Sequence, residues 1–138
     1  MVLEESASYI LARLATAHRT AVDKYMQAAG LHGGQVFILM ELWKKDGQRQ
    51  TDLAARLEVS PPTINKILGG LLERDFVTRA RYEDDARSTR IFLTPKGVEV
   101  RQVVEQQWSE LEAHTLANLT ETERLMFRQL LLKIRGVQ

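Results

Sequence analysis

The chain has 138 residues, 44% of them hydrophobic and 27% charged, with a formal net charge of +1 and no cysteine. That size fits one domain or one intimately joined pair, and the missing cysteines exclude disulfides, thiolate metal ligands and cysteine nucleophiles. No apolar run is long enough to span a bilayer, and Met1-Val2-Leu3-Glu4-Glu5 lacks the basic-then-apolar pattern of a secretory signal, so a cytoplasmic location is the default expectation.

Ala7, Ile10, Leu11, Leu14, His18, Ala21, Val22 and Tyr25 follow helical spacing, and Gly30 ends the pattern. A second helix is predicted from Gln35 to Lys45, carrying Val36, Phe37, Leu39, Met40 and Trp43, with Gly47 closing it. Next come two short helices around a tight turn. Leu53, Ala54 and Leu57 share the face of the first, and small Ala54 lets a crossing helix approach. Val59 plugs the turn. Ser60-Pro61-Pro62 is a strong helix start: serine accepts a hydrogen bond from an orphan amide, and proline at the first helical position gives up no bond. The second helix runs to about Arg74 and buries Ile64, Ile67, Leu68 and Leu71 at i, i+3, i+4, i+7.

The opposite side of that helix carries Pro62, Lys66, Gly69 and Glu73 in one row, with Thr63, Asn65 and Gly70 beside it. Asn65 and Lys66 are the candidates for base edges, since asparagine pairs bidentately with adenine and lysine reaches guanine O6 and N7. Thr63 suits a thymine methyl or a phosphate. Two adjacent glycines in a helix interior cost roughly 1.5–2 kcal/mol relative to alanine. Either a DNA backbone comes close there, or a neighbouring helix packs closely, or the defect is simply tolerated.

Phe76 to Tyr82 and Arg90 to Leu93 read as paired strands, joined by Glu83-Asp84-Asp85-Ala86-Arg87-Ser88-Thr89. Arg87 near the loop tip suits the enhanced negative potential of a narrow minor groove, and Arg79, Arg81 and Arg90 flank it as phosphate contacts. The three acids repel phosphate. Asp85 is expected to pair with a wing arginine and fix the wing's direction; metal binding by the acids is the weaker alternative, because adjacent strand residues point to opposite faces. Between Gln48 and Thr94 eight basic residues face seven acidic ones. DNA binding here therefore rests on placement, with modest non-specific affinity.

Thr94-Pro95 starts a long helix with Val100, Val103, Val104, Trp108 and Leu111. Thr120-Glu121-Thr122-Glu123 is a capping box opening a last helix. With Leu125, Met126, Phe127, Leu130, Leu131, Leu132 and Ile134, that helix is apolar around most of its circumference, which implies a partner chain. The expected architecture is mainly α with a small β-hairpin wing: a winged helix-turn-helix lobe over 47–95, between N-terminal (1–46) and C-terminal (96–138) dimerisation segments.

L-A-A-R-L-E-V-S-P-P-T-I-N-K-I-L-G-G-L-L-E-R-D-F-V-T-R followed by D-A-R-S-T-R-I-F-L-T-P-K-G resembles the MarR family of bacterial transcriptional regulators, with Asp85, Arg87, Leu93 and Thr94 at the places of the family's wing signature. Glu58 stands where a glycine often sits in the turn, Asp75 where a helix-ending glycine is common, and Lys66 where arginine is frequent. Aspartate tolerates the left-handed conformation better than most residues. The resemblance implies a symmetric dimer on double-stranded DNA, with a roughly palindromic operator, most often as a repressor. It also implies a small aromatic or related effector between the dimer helices and the reading lobes, near His18, Arg19, His32 and Trp43. Three of these have a bland alternative: an interface histidine for His18, a helix cap for His32, a core position for Trp43. The absence of cysteine rules out thiol-based peroxide sensing.

Three separated histidines without cysteine give no zinc site, and no cofactor is expected. No nucleophile–base pair, phosphate loop or spaced carboxylate pair suggests an enzyme. The reading that competes with a DNA-binding regulator is a winged-helix module that docks a protein and does not read DNA.

Overall fold

A computed structural model describes residues 1–82 and 89–136. Among these, the α-helices and strands are α1 (Ala7–Met26), α2 (Gly33–Lys44), β1 (Gln48–Arg49), α3 (Gln50–Arg56), α4 (Pro61–Glu73), β2 (Val77–Arg81), β3 (Thr89–Leu93), α5 (Pro95–Thr115) and α6 (Glu121–Arg135), with short 3-10 turns at Leu3–Glu5 and Gln27–Ala29. The fold is mainly α-helical with a β2–β3 hairpin wing, as the hydrophobic periodicity predicts.

Side-chain caps set the helix starts. Ser60 Oγ accepts from Thr63 N at 3.3 Å, Thr94 Oγ1 from Gly97 N at 3.1 Å, and Thr120 Oγ1 from Glu123 N at 3.2 Å. Each satisfies an amide with no partner inside its own helix. The Thr120 box is reciprocal: Thr120 N donates to Glu123 Oε1 at 2.8 Å. The hydrogen bonds from the Thr120 backbone and side chain hold the Glu123 carboxyl below its ordinary value.

One apolar core joins the C-terminal turn of α1 to α2, α3, α4, the sheet and α5. Met26, Ile38, Leu39, Leu53, Leu68, Leu71 and Ile91 are fully buried within it, each worth about 1.5–3 kcal/mol relative to exposure. On α4, Ile64, Leu68 and Leu71 are buried; Ile67 is only half-buried, at the margin of the predicted stripe.

β1 is a third strand the sequence does not announce. It has two residues and pairs antiparallel with β3, giving the order β1-β3-β2. Gln48 is buried there, and its Nε2 donates to the carbonyls of Glu41 and Lys45, both at 2.8 Å. One side chain thereby caps the end of α2 and anchors the sheet to it.

The outer helices are sparsely covered in a single chain. α1 buries only Val22 and Met26, leaving Ile10, Leu11 and Leu14 exposed. α6 buries none of its residues; Leu125 is 66% exposed and Ile134 72%. An open groove of about 770 Å³ between α1 and α6 is lined by Leu11, Leu14, Phe127 and Leu131. Among the described residues no helix is long and apolar enough to cross a membrane.

Glu58 and Asp75, the two residues standing where glycine is frequent, both adopt positive φ, at 55° and 63°. A Cβ is penalised in that conformation. Glu58→Gly is expected to stabilise the protein by about 1 kcal/mol, and Asp75→Gly by less, because aspartate tolerates the left-handed region. Thermal unfolding of the two variants measures both.

Candidate nucleic-acid interface

The turn between α3 and α4 is closed by backbone bonds. Leu57 N donates to Leu53 O at 3.0 Å and Val59 N to Ala54 O at 3.0 Å. Ala54 is buried and small, and α3 packs against α4. With Ile64, Leu68 and Leu71 committed to the core, the other side of α4 projects outward. Pro62, Thr63, Asn65 and Lys66 are all exposed. The Ser60 hydroxyl donates to Thr63 Oγ1 at 2.9 Å, steadying Thr63 at the helix start.

Strand alternation supplies the adjoining surface. Val77, Arg79 and Arg81 share one face of β2. Val77 is buried at the base, whereas Arg79 and Arg81 are exposed as the strand leaves the core. They face α4: Arg79 Nη2 donates to Asn65 Oδ1 at 3.4 Å. Gln50, the first residue of α3, reaches the same oxygen through Nε2 at 3.3 Å. Gln50, Thr51, Asn65, Arg79 and Arg81 line a slot of about 320 Å³ between helix and wing. Ion pairs among the described residues, Lys44 with Glu41 and Arg101 with Glu105, lie away from this surface.

Arg90 does not join Arg79 and Arg81, contrary to the expectation that all three flank the wing as phosphate contacts. It opposes Ala80 in the register and so lies on the other face of the sheet. There it is half-buried, donates to the Gly47 carbonyl at 2.9 Å and lies 6.0 Å from the Tyr82 ring centre. Its work is to hold the α2–β1 connection. Arg87 and Asp85 lie outside the described residues. Nothing in the sequence singles out Gln50, because polarity at a helix start is ordinary; only the fold brings it to Asn65.

The paired glycines separate into two cases. A Cβ at Gly70 would lie 2.6 Å from Nε2 of the buried Gln35, so helix packing accounts for it. A Cβ at Gly69 would meet nothing within 4 Å. Nothing inside the described protein accounts for that glycine.

The four effector candidates are not gathered into one cavity. Trp43 lines a cavity of about 640 Å³ between α2, α5 and α6, together with Lys44, Arg101, Trp108 and Arg124. Its indole Nε1 donates to Gly97 O at 2.9 Å, and Arg101 lies 5.6 Å from its ring centre. His18 lines the separate α1–α6 groove. Arg19 and His32 line neither cavity. His32 opens α2, its backbone N donating to Gln35 Oε1 at 3.1 Å, which matches the helix-cap alternative. Among the described residues no three His, Cys, Asp or Glu side chains gather as a metal-holding group.

A core-packed helix-turn-helix presenting a polar helix face beside an arginine-bearing hairpin defines the winged helix-turn-helix class of DNA-binding transcription regulators. The MarR family model matches residues 32–89. The HTH-type transcriptional repressor YetL of Bacillus subtilis is 32% identical over 113 residues, covering 80% of this chain and 67% of YetL. A probable transcriptional regulator from Pseudomonas aeruginosa has the same fold, with a TM-score of 0.85 at 22% identity, covering 96% of this chain and 98% of that one. A Mycobacterium tuberculosis MarR family protein, solved in complex with salicylic acid, gives a TM-score of 0.74 at 25% identity over 97% of this chain and 99% of that one. The chain belongs to the MarR family.

Gly69→Ala is expected to raise stability by about 1 kcal/mol, the helix-propensity difference with no steric penalty. Gly70→Ala gains less, because the Gln35 amide must move. Chemical denaturation of the two single variants distinguishes them.

Proposed function

We propose that this protein is a homodimeric transcriptional repressor that reads a palindromic operator and is released by a small aromatic or phenolic ligand, with no catalytic role. Residues 1–46 and 96–138 form its dimerisation body and 47–95 its reading lobe. The observation that carries the reading is the exposed row of Thr63, Asn65 and Lys66 on a capped 13-residue helix whose opposite face is core. Such a helix fits a major groove, with Arg79 and Arg81 toward the phosphates and Arg87 toward the adjacent minor groove.

Dimerisation is supported by the exposed apolar side chains of the amphipathic α6, among them Leu125, Met126, Leu130 and Ile134, and by the exposed N-terminal half of α1. A twofold axis through these helices puts two copies of α4 on half-sites about one duplex turn, roughly 34 Å, apart. The repressor assignment draws on the printed name of YetL. The effector draws on the salicylic acid complex of the M. tuberculosis relative, and the Trp43–Trp108 cavity has a volume suited to a small ligand. Such a ligand acts only by favouring a lobe spacing that the operator does not.

Lys66→Ala with Arg87→Ala is expected to leave the dimer intact and weaken operator binding about a hundredfold or more, since each good base contact is worth about 1–3 kcal/mol. Gel retardation against sedimentation reads both. Unaltered retardation favours the alternative, a winged-helix module that docks a protein.

Leu130→Asp places a charge in the α6 face and is expected to give monomers by sedimentation together with loss of operator retardation. Retained dimers place the twofold contact on another surface.

A further inference from the structure

The side-chain amide of Asn65 sits between two donors. Gln50 Nε2 is 3.3 Å from Asn65 Oδ1, and Arg79 Nη2 is 3.4 Å from the same oxygen. A guanidinium carries donors only. The amide edge facing Arg79 must therefore be the oxygen, because the reversed amide sets N–H against N–H. Gln50 comes from the start of α3 and Arg79 from the middle of β2, so two separate elements converge on one atom. A carbonyl oxygen has two lone pairs, and two donors approach this one. The two N–H bonds of Nδ2 are left for whatever lies beyond the exposed face of α4.

We propose that Gln50 and Arg79 hold Asn65 as a donor-only reader, so that Asn65 selects guanine over adenine in the major groove. Guanine offers two adjacent acceptors, N7 and O6, whereas adenine sets its N6 amino group beside N7. Bidentate pairing with adenine needs Oδ1 to accept from N6, and here that oxygen is occupied. The adenine preference expected of an asparagine on sequence grounds is thereby reversed. Gln50 and Arg79 act through the amide as positioning residues. The inference rests on the reading that α4 enters the major groove.

The test is selection from a randomised duplex pool with the full chain, comparing wild type, Asn65→Ala, the pair Gln50→Leu with Arg79→Met, and Arg79→Lys. Wild type is expected to enrich guanine at a half-site position whose preference disappears in Asn65→Ala. The Gln50/Arg79 pair frees the amide and should raise adenine relative to guanine at that position by about tenfold. Preferences elsewhere should keep their order, with overall affinity lower. Arg79→Lys keeps a donor and should retain guanine. An Asn65-dependent position that is already adenine in wild type overturns the proposal, as does a guanine preference unmoved in the paired variant. If Asn65→Ala changes no position while wild type still enriches an operator, the proposal fails and the DNA reading stands. Enrichment of no sequence by a dimeric wild type removes both.

Discussion

Thr94 ties the end of α4 and the hairpin to the start of α5. Its backbone N donates to the Phe76 carbonyl at 3.2 Å, its Oγ1 lies 2.5 Å from the Asp75 carbonyl, and the same oxygen accepts from Gly97 N. The end of α4, the start of β2, the end of β3 and the start of α5 thus meet at one residue. Gly97 lets them meet, because a Cβ there would collide with the Phe76 carbonyl. Lys96 adds a bond to the Arg74 carbonyl at 2.6 Å and lies 4.3 Å from the centre of the Phe76 ring. The corner joins the end of α4 to the start of α5, while α2, α3 and β2 pack on the rest of α4.

The same economy appears at the other end of the lobe. Asp46 accepts from Leu93 N at 2.8 Å, Gln48 caps α2, and Arg90 donates to Gly47. Gln48 and Arg90 hold the sheet to the end of α2 from its two faces: Gln48 lies opposite Ile91 on the face that carries Arg79 and Arg81, and Arg90 opposite Ala80 on the other. Arg79, farther along the first face, borders α4.

Much of the fold is legible in the residues. Ser60-Pro61, Thr94-Pro95 and the Thr120 box mark helix starts through chemistry confined to a few neighbours, and Asp75 marks a helix end the same way. The outward face of α4 follows from its buried stripe. What the sequence hides depends on distant pairing. Two residues cannot display a strand period, so β1 is invisible until β3 lies beside it. Arg90 looks like Arg79 and Arg81 until the register puts it across the sheet. Gln50 gains meaning only when α3 and β2 close on Asn65. His18 lines the groove beside α6 and Trp43 the cavity between α2 and α5, a separation that no local pattern discloses.

The strand order leaves β2 at the margin of its sheet, with one row of backbone donors and acceptors unpaired by any strand among the described residues. Such margins recruit foreign strands unless charge keeps them away. Arg79 and Arg81 stand on that margin, each bringing a full positive charge and a bulky, hydrated head. Under the proposed function, protection of this edge and contact with DNA draw on the same two side chains, so a change at either position touches both.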